Sequence, residues 1–188
     1  MKKILFVSLS MLFAIFTYAQ GVIRLLNGSD KCLNTFQYND TVVFIYENYK
    51  VTTVAIENSA GEDITIEDTF SNIKCLKNDW ASYFFGIISD KLIIDIGTSS
   101  TREFRVYKLP DLTLEFSSRY VGRISANDNL IHFTYLFGYD ENFEKPDCPN
   151  KKEIEELGGF VGYYQKRDYN LINCKLEISD SIECGFLE

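Results

Sequence analysis

Apolar residues in this chain come in short runs separated by polar turns, a pattern typical of an antiparallel β protein. Four such runs follow one another in the middle of the sequence: Ser82–Ile88, Lys91–Ile96, Glu103–Lys108 and Leu112–Phe116. Turn-forming residues separate them, for example Ser89-Asp90. Regular short strands at this spacing favour a meander, sandwich or barrel over alternating strands and helices.

The amino-terminal half shows the same pattern with a clear hairpin signal. Val51–Glu57 and Asp63–Glu67 flank a loop whose last residue, Gly61, can supply a positive φ. Ile64 and Ile66 alternate with polar neighbours, as a strand with one buried face requires. Further strands are predicted at Val22–Leu26, Thr41–Tyr46, Leu130–Tyr139, Phe160–Arg167 and Lys175–Ile178.

One short helix is predicted near residues 150–157. Asn150 follows Pro149 and can cap this helix, glutamates fill its turns, and Gly158-Gly159 end it. The predicted fold class is therefore all-β, mainly an antiparallel meander, sandwich or barrel, with one short helix.

The first nineteen residues have the pattern of a cleavable signal peptide. Lys2 and Lys3 precede an apolar run, Ile4–Phe16, and Ala19 is a suitable cleavage position. Cleavage there predicts a single disulfide-stapled β domain, residues 20–188, in the periplasm or outside the cell. The first residue after this cleavage position is Gln20 and not a cysteine, so a lipoprotein-type anchor is not indicated and we expect no stable membrane anchor.

Five cysteines follow the predicted leader, and in an oxidising compartment they indicate disulfides. Five choices of unpaired cysteine, with three pairings of the other four, leave fifteen arrangements open. Among these we favour Cys32–Cys75 and Cys148–Cys184, with Cys174 unpaired.

The chain is acidic, with a formal net charge of −8. Loss of Lys2 and Lys3 with the leader takes the charge from −8 to −10. A chain of this charge repels phosphate backbones and anionic lipid, so nucleic acid is not an expected partner.

The string Asp95-Ile-Gly-Thr-Ser-Ser-Thr-Arg102 resembles the first phosphate loop of sugar kinases and other actin-fold ATPases. It is also similar to the Asp-Thr/Ser-Gly motif of aspartic proteases. Neither a second phosphate loop nor a second Asp loop accompanies it, so we predict no catalytic residue and no cofactor. We interpret 97–102 as a polar hairpin loop whose amides Asp95 caps. Asp95, Thr98 and Arg102 are candidate binding residues.

A second candidate binding loop is Tyr139–Asp147. Asp140, Asn142 and Glu144 alternate there as calcium ligands do, but Lys145 stands where a calcium loop needs glycine. With a single histidine in the chain, we predict no metal site and keep Asp140 and Glu144 as binding candidates.

Aromatic residues gather at Trp80, Tyr83, Phe84 and Phe85. Such rings can stack on sugar faces, although aromatics in strands more often form core and cross-strand pairs. The expected partner is accordingly an unknown protein or a glycan.

The segment Leu92–Leu109, with Cys148-Pro149 and Cys184, resembles parts of poorly characterised small secreted bacterial β-proteins. The resemblance covers roughly the second half of the chain. It implies a β fold and a Cys148–Cys184 bridge, but no activity.

Together these features predict a non-enzymatic secreted or periplasmic binding protein. A proteinaceous inhibitor of a cationic extracellular enzyme such as lysozyme is one alternative, because an acidic protein is steered towards a basic partner. A hydrolase that uses carboxylates such as Asp95 and Glu103 is another.

Overall fold

The structure, a computed structural model, describes residues 25–26, 29–78, 80–138 and 141–187. The predicted leader and the predicted start of a strand at Val22 lie outside these residues. Within the described part the chain is all-β with one short helix, as the sequence predicts. The helix α1 (Lys151–Glu156) falls inside the predicted range 150–157.

Twelve strands of the described chain form two antiparallel sheets, each a meander in which neighbours in sequence are neighbours in space. The first sheet contains β1 (Asn34–Tyr38), β2 (Thr41–Ile45), β3 (Tyr49–Ala55), β4 (Glu62–Asp68) and β5 (Ile73–Leu76). The second contains β6 (Ser82–Ile88), β7 (Lys91–Ile96), β8 (Thr101–Lys108), β9 (Thr113–Asn127), β10 (Leu130–Leu136), β11 (Phe160–Asn170) and β12 (Lys175–Leu187).

One hydrophobic core lies between the two sheets. Phe44, Val51 and Ile64 of the first sheet pack against one face of β6 and β7, including Leu92 and Ile94. Each buried side chain of this size stabilises the fold by about 1.5–3 kcal/mol.

A second core lies on the opposite face of the second sheet. Ile93, Phe104 and Phe133 belong to it, and strands β6 to β10, together with Tyr169 of β11, contribute to it. Because β7 is buried on both faces, its sequence is a nearly continuous apolar run.

The disulfide Cys148–Cys184 joins the segment before α1 to β12, with the Cα atoms 5.9 Å apart. This predicted bridge is confirmed. The helix α1 packs on β11 and β12, and its buried residue is Ile154. The bridge and Ile154 together fix the carboxyl-terminal hairpin to the segment that precedes it.

The predicted Cys32–Cys75 bridge is wrong, since both residues are free thiols. Cys32 precedes β1 and Cys75 lies in β5, at opposite edges of the five-stranded sheet. Strands are spaced about 4.8 Å apart, so the width of the sheet far exceeds the roughly 7 Å limit for bridged Cα atoms. Cys174 is also a free thiol, as predicted.

Candidate functional site

An open cleft of about 820 Å³ lies where three chain connections meet. The β3–β4 loop forms one wall, the β5–β6 connection forms the second, and the β7–β8 turn with the start of β8 forms the third. Arg119 of β9 completes the lining. We call this the inter-sheet cleft, because its walls come from both sheets.

The predicted binding residues Asp95, Thr98 and Arg102 all lie at the third wall. Thr98 and Arg102 line the cleft, and Thr98 is exposed. Asp95 lies just behind it, since its side chain is only 7% exposed and forms an ion pair with Arg102. The Nε–H of Arg102 donates to Asp95 Oδ1 over 2.9 Å.

Tyr120 completes this buried network by donating its O–H to Asp95 Oδ1 over 2.7 Å. Register explains the meeting, because Asp95 pairs with Phe104 on β8 and Arg102 pairs with Tyr120 on β9. Burial, and next the negative charge of Asp95, raise the pKa of Tyr120 far above that of an ordinary phenol. The partners of Asp95 are therefore side chains of its own sheet, where we had expected turn amides.

Asn78 ties the first two walls of the cleft together. Its Nδ2 donates to the carbonyl of Ala60 over 2.9 Å, and its Oδ1 accepts from the Ser82 N–H over 2.8 Å. Gly61 has a φ of +101°, and a Cβ there would stand 2.6 Å from Asn78 Oδ1. Only glycine allows the amide to approach this turn so closely.

Trp80 lies on the second wall and is 75% exposed. It is held on both sides: Asn78 anchors the chain before it, and the carbonyl of Ala81 accepts a hydrogen bond from the Gly97 N–H over 3.1 Å. Phe84, by contrast, is buried in the core between the sheets. Of the aromatic residues that gather in this part of the sequence, Phe84 therefore belongs to the core and Trp80 is exposed at the cleft.

The second predicted loop meets the cleft at its edge, through a residue that was not predicted. Asp140 lies outside the described residues, and Glu144 is exposed and does not line the cleft. Glu141 instead pairs with Arg119 and accepts the Tyr135 O–H over 2.8 Å. Burial favours a higher pKa for Glu141, but the Gly138 N–H, Tyr135 and Arg119 outweigh it and hold that pKa below its usual range.

Asp95 and Glu103, the carboxylates of the hydrolase alternative, point to opposite faces of the second sheet. Asp95 pairs with Phe104, so the preceding residue, Glu103, faces the other way. The two groups therefore do not form a pair around one substrate. Glu103 instead accepts from Arg105 Nε over 2.7 Å.

Comparison with known proteins brings no relative: no protein-family model, curated protein or solved structure matches this chain. The function has to be argued from the site itself.

The following two statements hold for the residues that the structure describes. No cluster of three or more His, Cys, Asp or Glu side chains among them could hold a metal ion. Their one helix is too short to pass through a lipid bilayer. The Cys148–Cys184 disulfide is compatible with a location outside the cytoplasm.

Proposed function

We propose that this chain is a non-enzymatic secreted or periplasmic binding protein that takes its ligand in the inter-sheet cleft. The observation that carries the proposal is the cleft itself, whose volume of about 820 Å³ falls in the range of small-molecule sites. Its walls are already joined by Asn78 and by the Gly97–Ala81 hydrogen bond. A ligand would therefore meet a site that needs little ordering on binding.

Three features support the proposed location. The residues 1–19 have the pattern of an export leader, and the mature chain contains a disulfide. The formal net charge, −8 for the full sequence and −10 without residues 1–19, disfavours nucleic acid and anionic lipid as partners. A binding role outside the cytoplasm agrees with all three.

A thermal-shift screen against neutral oligosaccharides, acidic oligosaccharides and short peptides tests the proposal. Any ligand that binds the folded state raises the melting temperature. Thr98→Trp would fill the cleft and should abolish the shift, whereas Thr69→Trp, the same change at an exposed position outside the cleft lining, should preserve it. Equal shifts in both variants, or no shift with any class, would contradict the proposal.

An inhibitor of a cationic extracellular enzyme is a second candidate, favoured by the net charge of −8. Electrostatic steering towards a basic enzyme weakens as salt screens it. Retention of lysozyme on the immobilised protein at low salt, and its release at high salt, would support this candidate. No retention at low salt removes it.

A further inference from the structure

Each charged side chain that lines the inter-sheet cleft already has a partner of opposite charge within the protein. Arg102 pairs with Asp95, Arg119 with Glu141, and Glu103 with Arg105. The cleft therefore offers little unpaired charge to a ligand. An ionic ligand would have to compete with these pairs, and an anionic one would also meet the net charge of −8.

The rest of the lining combines hydroxyl groups with one large exposed ring. Ser59, Thr98 and Ser99 are exposed hydroxyl residues at the cleft. Ser99 Oγ donates to the carbonyl of Thr101 and Ser59 Oγ to that of Ala60, and both oxygens keep lone pairs that can accept from a ligand rich in hydroxyl groups. Trp80 adds a flat apolar surface beside them.

Trp80 lies in a chain segment that is anchored on both sides. The residues on either side of its segment, Asn78 and Ala81, are hydrogen bonded to the first and third walls. The main chain that carries the indole is therefore held in place, which lowers the backbone entropy lost when a ligand stacks on the ring. Tryptophan is enriched at binding interfaces because it combines a large apolar ring with a polar N–H.

From these observations we infer that the ligand of the inter-sheet cleft is a neutral oligosaccharide, with one sugar ring stacked on Trp80. The C–H face of a sugar matches the indole, and its hydroxyl groups match those of Thr98 and Ser99. This inference rests on the proposed function, because it names the ligand class of the same cleft.

Trp80 is the only tryptophan of the chain, so intrinsic fluorescence reports directly on this site. We would titrate the full-length mature protein with chitotetraose, cellotetraose and maltotetraose, using tetragalacturonate and tetra-alanine as charged and peptide probes. The expected result is a saturable change in fluorescence with at least one neutral tetrasaccharide. Tetragalacturonate and tetra-alanine should leave the emission unchanged.

Calorimetry then tests the role of the ring. Trp80→Ala should weaken binding of the active tetrasaccharide by about tenfold or more, and Trp80→Phe by less. Phe70→Ala, which removes another exposed aromatic ring at a site 86% exposed and outside the cleft lining, should bind like the wild type.

The inference is overturned if no neutral tetrasaccharide binds, or if Trp80→Ala binds as tightly as the wild type. In that case the proposed function would still stand, with a different ligand class, if peptides or acidic sugars raise the melting temperature and Thr98→Trp abolishes that rise. If no ligand class raises the melting temperature, both the proposed function and this inference are overturned.

Discussion

Tyr120 and Asp95, twenty-five residues apart in sequence, share a hydrogen bond of 2.7 Å in the buried layer behind the inter-sheet cleft. The same carboxylate holds Arg102, which lines the cleft. The contact between Tyr120 and Asp95 therefore links the interior of the second sheet to the surface proposed for binding.

Loss of the Tyr120 hydroxyl should destabilise the fold. Hydrogen bonds to charged groups contribute about 1.5–3 kcal/mol, so we expect Tyr120→Phe to lower the free energy of unfolding by that amount. Urea denaturation measures this loss of unfolding free energy.

Asp95→Ala should lower the free energy of unfolding by more than Tyr120→Phe, about 3–5 kcal/mol, because it leaves the largely buried Arg102 unpaired. Tyr107→Phe, at another buried tyrosine of the same sheet, is the control, and an equal loss there would contradict the role of Asp95.

Asn78→Ala should loosen the first two walls of the cleft. It removes both the donor to Ala60 and the acceptor of the Ser82 N–H. Loss of such bonds costs about 1–3 kcal/mol. Gly61→Ala should cost a similar amount, about 1–3 kcal/mol, because its φ of +101° strains any other residue. Thermal melts compare both with Asn142→Ala at an exposed position, and unchanged melting of Asn78→Ala would refute the bridging role.

Removal of the disulfide should destabilise the chain strongly. Cys148 and Cys184 are 36 positions apart, and a loop of that length contributes about 4 kcal/mol in the chain-entropy model. We expect Cys148→Ala/Cys184→Ala to unfold at markedly lower urea concentration than the wild type. Cys174→Ser, at an exposed free thiol, should change stability little.

The number of free thiols tests separately whether Cys32 and Cys75 are unpaired. Alkylation of the unreduced, denatured protein should add three labels, on Cys32, Cys75 and Cys174. Mass spectrometry counts them. A single label would mean that Cys32 and Cys75 are joined after all.

Glu62 should make the stability depend on pH. Burial raises its pKa above the ordinary value of 4.5, and the hydrogen bond from the Phe84 N–H offsets this only in part. The folded chain therefore holds this proton more tightly than the unfolded chain. As pH rises from the unfolded pKa through the higher folded pKa, ionisation of Glu62 costs stability, and the full cost applies above both.

Glu62→Gln removes that cost while keeping an acceptor for the Phe84 N–H. We expect the variant to be more stable than the wild type at neutral pH, with the difference vanishing below the ordinary pKa of 4.5. Urea midpoints from acidic to neutral pH measure this. Glu57→Gln, at an exposed position, is the matched control, and an equal gain there would point to net charge instead of burial.

Strands with strong apolar runs could be predicted from the sequence almost to the residue. β6 and β7 have the predicted bounds, Ser82–Ile88 and Lys91–Ile96, because core packing on both faces leaves their sequences apolar throughout. β1 and β5 were not predicted. They are the edges of the first sheet, and nearly all their residues are exposed, so burial imposes no pattern on them.

β9 was predicted only in part, as Leu112–Phe116, whereas it runs from Thr113 to Asn127. Beyond Phe116 it mixes polar residues with Tyr120, whose buried hydroxyl depends on Asp95 from another strand for its hydrogen bond. A local pattern cannot contain that dependence. β12 extends beyond Ile178 for a similar reason, since it is mostly exposed and is held by pairing with β11.

The same distinction, between features visible in the local sequence and features that depend on distant residues, applies to the candidate site. Asp95, Thr98 and Arg102 became candidates because the string from Asp95 to Arg102 resembles known loop motifs. The links of Asp95 to Tyr120 and of Arg119 to Glu141 join distant strands and loops, so only tertiary structure reveals them. Trp80 was noticed as an aromatic residue, but its place on the cleft wall depends on how the β5–β6 connection is anchored.

Amide chemical-shift mapping with the oligosaccharide that gives the largest thermal shift tests the central claim most directly. The account predicts that the strongest perturbations fall on the three connections around the cleft, at 56–61, 78–82 and 97–103, together with the indole N–H of Trp80. Perturbations concentrated instead on the exposed edge strand β1 or on the α1 region, with those connections unchanged, would contradict it.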